Sequence, residues 1–261
     1  MIRPSDYADW QEYYWNYQNL LAKNYLIPMI EHCGITINNK DVLEIGCGSG
    51  GVIEAFAEQC RSAVGIDIHP FDYTRLCTPK VRYITADIYD PSARPLYDGV
   101  YDIIILRDVI EHLPDKESVF KLFNELLTRD GIIFMTFPPY YSPYGAHQQV
   151  FSKSFCGKMP WVHLLPKTLY LKYVQWTEKG NLPAYHTALE LENSKTTIRQ
   201  IYKHIRKNDF EIRQAHYYLI RPSYEIRYGL KPLKFNILKY IPLINELITM
   251  GVYIIIQRKK T

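Results

Sequence analysis

Five cysteines stand among 261 residues: Cys33, Cys47, Cys60, Cys77 and Cys156. They are an odd number, widely scattered, with no CxxC pair, which argues against both a disulfide framework and a zinc site. No metal is expected, and the cysteine usage fits a reducing compartment. The chain also lacks an apolar run long enough to span a bilayer, and no signal-peptide pattern opens it. A soluble, cytoplasmic protein is therefore expected. Internal repeats and low-complexity tracts are missing too, which excludes solenoids and disordered arrays. Neither sign of charge dominates. The formal net charge is +4 with the basic residues spread along the chain, so nucleic acid is neither demanded nor excluded as a partner.

Tyrosine is abundant, with 23 residues concentrated near the N-terminus and after residue 138. Its apolar body and polar tip suit half-wet pockets and the rim of a core. The length fits one large α/β domain, or a domain carrying sizeable insertions, and can bury a core without staples. Residues 9–27 read as a helix. Asp9 and Glu12 form a capping-box pattern, and Trp10, Tyr13, Tyr14, Tyr17 and Leu21 share one face. From Asp41 onward short apolar runs alternate with amphipathic stretches. The candidate strands are DVLEIG (41–46), SAVGIDI (62–68), VRYITA (81–86), YDIIILR (101–107) and GIIFMTF (131–137). Between the last two, Val119, Leu122, Phe123, Leu126 and Leu127 recur at helical spacing behind Asp115 as N-cap. Strands that are apolar throughout and alternate with helices imply a parallel sheet covered on both faces.

After residue 137 the pattern changes. Residues 138–194 are rich in Pro, Tyr, Trp and His with little periodicity, and read as an insertion. Residues 195–208 return to helix, with Ile198, Ile201 and Ile205 on one side. FEIRQAHYYLI (210–220) and VYIIIQRK (252–259) are the last two strands, and 221–249 forms a second insertion between them. Within it, 231–250 is amphipathic, with Leu233, Ile237, Ile241, Ile244 and Ile248 aligned and Pro242 set to kink or split it. Its ordinary reading is a helix packed on the core. The alternative is an interfacial helix, since three lysines accompany the apolar stripe.

The chemistry is carried by VLEIGCGSGG (42–51), a strand running into a glycine-rich turn and a helix. Glycines at 46, 48 and 50 allow positive φ and let a ligand approach the backbone. Gly46, Gly48 and Gly51 also satisfy GxGxxG, and Asp67 ends the second strand where a ribose-binding acid belongs, so a nicotinamide-dependent oxidoreductase explains these two features equally well. Three further features separate the readings. Glu44 places a carboxylate inside the first strand, costly in a buried sheet unless a ligand ammonium pairs with it. Asp87, followed by apolar Ile88, can accept from an adenine amino group while a side chain covers the ring. DIIILRDVIEHLPD (102–115) is a strand, a polar turn and a helix start beside the switch point where ligands bind.

VLEIGCGSG, GIDI, TADI and DVIEHLPD, in that order and at that spacing, resemble the class I S-adenosylmethionine-dependent methyltransferases. The resemblance is closest to the branch that includes the quinone-biosynthesis enzymes, and it covers residues 40–137 by motif. It implies a Rossmann-like α/β fold: a seven-stranded, mostly parallel sheet with an antiparallel last strand and helices on both faces. It implies S-adenosylmethionine as cofactor, with S-adenosylhomocysteine as product. Gly46, Cys47, Gly48 and the loop's Gly50 would line the methionine portion. Asp67 would hold the ribose hydroxyls, Ile68 and Ile88 would sandwich the adenine, and Asp87 would bind its amino group. Arg107 and Asp108 would sit near the sulfonium. The expected organisation is an aromatic helical cap (1–40), a cofactor-binding core (41–137), an acceptor-side insertion (138–194) and the end of the sheet (195–261).

FPPYYSPYGAHQQ (137–149) opens that insertion. Its Pro-Pro-Tyr follows the fifth strand rather than the fourth, and Phe137 has no amide or carboxylate, so the likeness to adenine methyltransferases is a coincidence of letters. Methyl transfer is chiefly alignment and exclusion of water, and an acceptor hydroxyl must also lose its proton. His147 is the first candidate base, His112 the second, with His163 and His186 as alternatives. For Glu111 and His112, helix-capping or packing roles are equally open. Tyr140, Tyr141, Tyr144, Phe151 and Trp161 either wall an acceptor pocket or pack the insertion on the sheet. The expected partner is a small-molecule or lipid-linked acceptor, methylated at oxygen, with peripheral membrane contact through 231–250 as a further possibility. A nucleic-acid or protein methyltransferase would call for a strongly basic groove or an added recognition domain, and neither is evident.

Overall fold

The computed structural model describes residues 1–152 and 154–259. One sheet organises the chain, in the order β3-β2-β1-β4-β5-β8-β6-β7. The parallel part comprises β1 (Asp41–Ile45), β2 (Ser62–Asp67), β3 (Val81–Thr85), β4 (Tyr101–Arg107) and β5 (Leu127–Phe137). The antiparallel part comprises β6 (Phe210–Ile220), the two-residue β7 (Leu233–Lys234) and β8 (Gly251–Arg258), with β8 wedged between β5 and β6. The sheet thus has eight strands rather than the seven expected. The extra one is a short edge pairing, with Leu233 opposite Ile220 and Lys234 opposite Tyr218.

Alternation along the strands explains the two-faced core. Ile103 and Ile105 of β4 face one layer while Ile104 and Leu106 face the other, and Ile132/Phe134 against Ile133/Met135 repeat the split in β5. One face is covered by α1 (Trp10–Leu21), α2 (Ile27–His32) and α3 (Gly51–Ala57). A π-helical turn at Ala22–Leu26 joins α1 to α2, so the N-terminal helix runs to His32, beyond the expected end at 27. The opposite face is covered by α4 (Lys116–Leu126) and, further along the chain, by Ile198, Ile201 and Ile205. Capping follows the sequence. Asp9 accepts from the Glu12 amide at 2.8 Å, and Asp115 accepts from the Ser118 amide at 3.1 Å.

The 138–194 stretch is more regular than its sequence suggests. It holds α5 (Gln148–Phe151), α6 (Lys167–Thr177) and α7 (Leu182–Ser194), gathered on a small core of Ala146, Tyr170, Val174, Ala188 and Leu191. Its periodicity is hard to see because one short core serves both helices and most of their surface is wet. The chain then enters α8 (Ile198–Lys207), whose Thr197–Gln200 capping box is complete, and α9 (Pro222–Tyr228) after β6.

The 231–250 segment departs from its ordinary reading. It is a 3-10 turn at Asn236–Tyr240 followed by α10 (Pro242–Ile248), split at Pro242 as expected. The aligned residues Leu233, Ile237, Ile241 and Ile244 are exposed, and Tyr240 and Leu243 are 72% and 74% exposed. Of the apolar side chains between 231 and 244, only Leu238 is buried. This stripe therefore does not pack on the core. Among the described residues no helix is long and apolar enough to cross a membrane.

Candidate active site

The strand order reverses between β1 and β4, and the crevice outside their carboxyl ends is where open α/β sheets bind ligands. The glycine loop after β1 forms one wall. Gly46 has φ +72°, and a Cβ there would collide with Val109, so the loop and the turn after β4 touch only because the side chain is missing. Gly51 lets the start of α3 press against the Trp15 carbonyl and Gln18 of α1. The Gly48 amide donates to Asp67 at 2.8 Å, tying the loop to the end of β2. The other Asp67 oxygen accepts from the His69 amide at 2.9 Å. Below the loop, Tyr73 donates to the Gly48 carbonyl at 3.0 Å and stacks on Tyr83. Burial pushes the Cys47 thiol well up, so this cysteine lines the floor as an inert apolar group.

Glu44 lies under this loop, 1% exposed, with one carboxylate oxygen lacking any partner. Burial holds its carboxyl well above the ordinary range. At the ends of β2 and β3 Ile68 is 58% exposed, Ile88 is half-buried, and Asp87 is exposed with its carboxylate accepting from the Tyr89 amide at 2.9 Å. A hollow of about 410 Å³ lies between residues 88–97 and α4, with Ile88 in its lining.

Arg107 and Asp108 engage first with each other and with residues not anticipated. Asp108 accepts two hydrogen bonds from Arg221, at 2.6 and 2.5 Å, and lies 3.2 Å from Arg107. Arg107 in turn donates to the Tyr17 hydroxyl at 2.5 Å. Burial alone would push the Asp108 carboxyl up, but Arg107 and Arg221 outweigh it and hold it well below the ordinary range. Asp108 sits at φ +54°, a left-handed conformation held by its amide bond to the Thr136 carbonyl at 2.9 Å. Arg221 comes from the segment between β6 and α9, more than a hundred residues away in sequence. No local pattern announces that meeting.

Glu111 and His112 lie in the turn after β4, not on a helix, because α4 starts only at Lys116. His147 comes from the start of the insertion at φ +55° and reaches the same place. Its Nε2 stands 3.3 Å from a Glu111 carboxylate oxygen, and its ring stacks on His112, 5.4 Å between centroids. His112 Nδ1 is 2.8 Å from Glu190 of α7. Burial, followed by repulsion from Asp108, raises the Glu111 carboxyl to about 7, and burial lowers the His147 imidazole to about 4. The two candidate histidines therefore do come together, with Glu111 of the β4 turn beside His147. The alternatives do not join them. His163 is fully buried inside the insertion at 2.6 Å from the Tyr140 carbonyl, and His186 is exposed on α7 beside Tyr185. Of the aromatics after residue 138, Tyr140 is buried against Glu192 and Phe151 packs on the insertion's core, while Tyr141 and Trp161 are exposed.

Comparison with known proteins bears on the family and the fold. A family model described as a methyltransferase domain matches residues 22–193. The ubiquinone biosynthesis O-methyltransferase of Histophilus somni is 26% identical over 162 residues, covering 56% of this chain and 66% of that protein. The corresponding protein of Vibrio campbellii is 29% identical over 124 residues, covering 45% and 50%. The chain thus matches between about half and two thirds of the length of these relatives. Among solved structures, a plantazolicin methyltransferase aligns at a TM-score of 0.53 and 14% identity, covering 94% of this chain and 85% of the other. A putative S-adenosylmethionine-dependent methyltransferase from Listeria monocytogenes aligns at 0.53 and 16% identity, covering 92% and 99%. At such identities these structures speak for the fold, and the family model for the lineage. The chain belongs to the methyltransferase domain family, with the class I fold that its motifs resemble.

Proposed function

We propose that the protein transfers the methyl group of S-adenosylmethionine to an oxygen of a small or lipid-linked acceptor. The observation that carries this reading is Glu44, a fully buried carboxylate with an unpartnered oxygen beneath a glycine loop. Such a group is costly unless a ligand cation meets it, and the ammonium of the methionine moiety would do so, directly or through water. Asp67 would hold the ribose, Ile68 and Ile88 the faces of the adenine, and Asp87 its amino group. The backbone at Gly46, Cys47, Gly48 and Gly50 would face the methionine portion. Arg107 and Asp108, held by Arg221, would shape the sulfonium end.

Glu111, His112 and His147 stand on the acceptor side and deal with the acceptor's proton. The N-terminal helix and the 138–194 insertion close over the crevice and exclude water, which is most of what this reaction asks of a protein. Oxygen as the acceptor atom is supported by the names of the relatives, which are O-methyltransferases of ubiquinone biosynthesis. A lipid-linked acceptor is supported by the exposed apolar stripe at 233–244, which carries Lys231, Lys234 and Lys239 beside it.

The test is transfer of labelled methyl from S-adenosylmethionine into fractionated cell extract. Label in the organic phase supports the lipid-linked acceptor, and label in the aqueous phase a soluble one. Absence of label in both, together with tight binding of a nicotinamide cofactor, would replace the reading with the oxidoreductase one.

A further inference from the structure

Glu111 is 2% exposed and neither of its carboxylate oxygens has a hydrogen-bond partner among the described residues. His147 Nε2 is buried and likewise unpartnered, because its approach to Glu111 is not in hydrogen-bonding geometry. Two orphaned groups of this kind facing each other are expensive in a folded protein unless something absent from the chain sits between them. One donor atom from each of Glu111, His112 and His147 lies within 4.8 Å of the other two. We infer that these three side chains form a binding site for a divalent first-row metal ion, placed on the acceptor side of the crevice.

The geometry supports this in three ways. Donors about 2.1 Å from a shared ion stand roughly 3.4 Å apart in a tetrahedral site. Glu111 and His147 are already at 3.3 Å, so only His112 must close in. Next, His112 Nδ1 faces the Glu190 carboxylate at 2.8 Å, which leaves Nε2 for the metal and supplies the outer carboxylate that metal-bound histidines characteristically have. Finally, His147 holds its place in a left-handed backbone conformation that costs a non-glycine residue energy, as residues fixed for function often do. Asp108 is not counted as a ligand, since Arg107 and Arg221 occupy it.

Two imidazoles and one carboxylate favour zinc, manganese, iron or cobalt over magnesium, and leave positions open. The cysteine pattern, from which no metal is expected, has no bearing on such a site. Its use rests on the methyl-transfer reading. An acceptor hydroxyl bound to the ion becomes more acidic and gives its proton to solvent. The oxygen's electron pair then forms the bond to the methyl carbon, while the carbon–sulfur bond breaks and its pair stays on sulfur. In this arrangement Glu111 and His147 hold the ion rather than take the proton themselves.

The deciding experiment is a Co²⁺ titration of the full chain after treatment with chelator, followed by visible absorption, with S-adenosylhomocysteine affinity measured in parallel. One equivalent of Co²⁺ should bind and be displaced by Zn²⁺. Its affinity should fall about tenfold in Glu190→Gln and further in His147→Ala and in the near-isosteric Glu111→Gln, with cofactor affinity unchanged in all three. No uptake by the wild type, equal uptake by all variants, or a thiolate-to-metal absorption band would each overturn the site. Metal binding without cofactor binding would remove the methyl-transfer reading and leave the site standing. Cofactor binding without metal would do the reverse.

Discussion

Glu44 concentrates the physical argument at the scale of one residue. Burial favours the neutral form of its carboxyl and an arriving ammonium favours the charged one, so cofactor binding should draw off its proton. Calorimetric titration with S-adenosylhomocysteine in two buffers of different ionisation heat should therefore show proton release, absent in Glu44→Gln. The same group makes stability depend on pH. Its folded pKa lies above the unfolded value near 4.5, so its contribution is complete below that value and is lost as pH rises through the folded one. Urea unfolding should show wild type losing stability relative to Glu44→Gln as pH rises above about 5. A constant difference would mean that Glu44 is ionised in the free protein. The sequence makes this residue legible because a carboxylate inside an apolar strand contradicts its surroundings. Asp67 is legible by its place, at the end of the second strand after the glycine loop. Arg221 is not, since a lone arginine after a tyrosine-rich strand looks like any surface residue until folding sets it against Asp108.

At the scale of elements, two contacts hold the crevice in shape. The first is the approach of α1 to the start of α3 at Gly51, where a Cβ would meet the Trp15 carbonyl. Gly51→Ala should cost ~1–3 kcal/mol by forcing the helices apart, read as a lower urea midpoint at unchanged slope. A neutral result would show that α1 shifts freely and does not define the cofactor loop. The second is the Asp108–Arg221 clamp between the end of β4 and the start of α9. Arg221→Met leaves a buried carboxylate with Arg107 alone, and should cost about 3 kcal/mol or more. The double variant with Asp108→Asn should recover much of that loss, and failure to recover would mean the two residues act independently. The elements themselves were mostly readable. Most strand runs, the caps at Asp9 and Asp115 and the Pro242 break stand where the residues imply, but β5 starts at Leu127, which the helical spacing claims, rather than at 131. What escaped was β7 and the helicity of the insertion. A two-residue edge pair has no periodicity to read, and α6 and α7 share so small a core that Leu169, Trp176 and Leu182 stay exposed and blur the apolar face.

Considered whole, the molecule presents a crevice at one end of its sheet and an apolar, lysine-bearing stripe at 230–244. Trp161 of the insertion donates to the Leu247 carbonyl at 3.2 Å, so α10, which follows on the stripe, adjoins the 138–194 insertion. Binding to vesicles should follow from this. Flotation with anionic vesicles should carry the protein, added salt should weaken it, and replacing Ile237 and Leu243 with serine should abolish it. Retention by neutral vesicles to the same extent would leave the lysines without a role. The central claim remains that the crevice binds the methyl donor through Glu44 and Asp67. It is tested most directly by titrating wild type and Asp67→Ala with S-adenosylhomocysteine. The account predicts one site per chain, weakened by ~1.5–3 kcal/mol in Asp67→Ala through loss of charge-assisted hydrogen bonds. No binding to wild type, or equal affinity in both proteins, would contradict it.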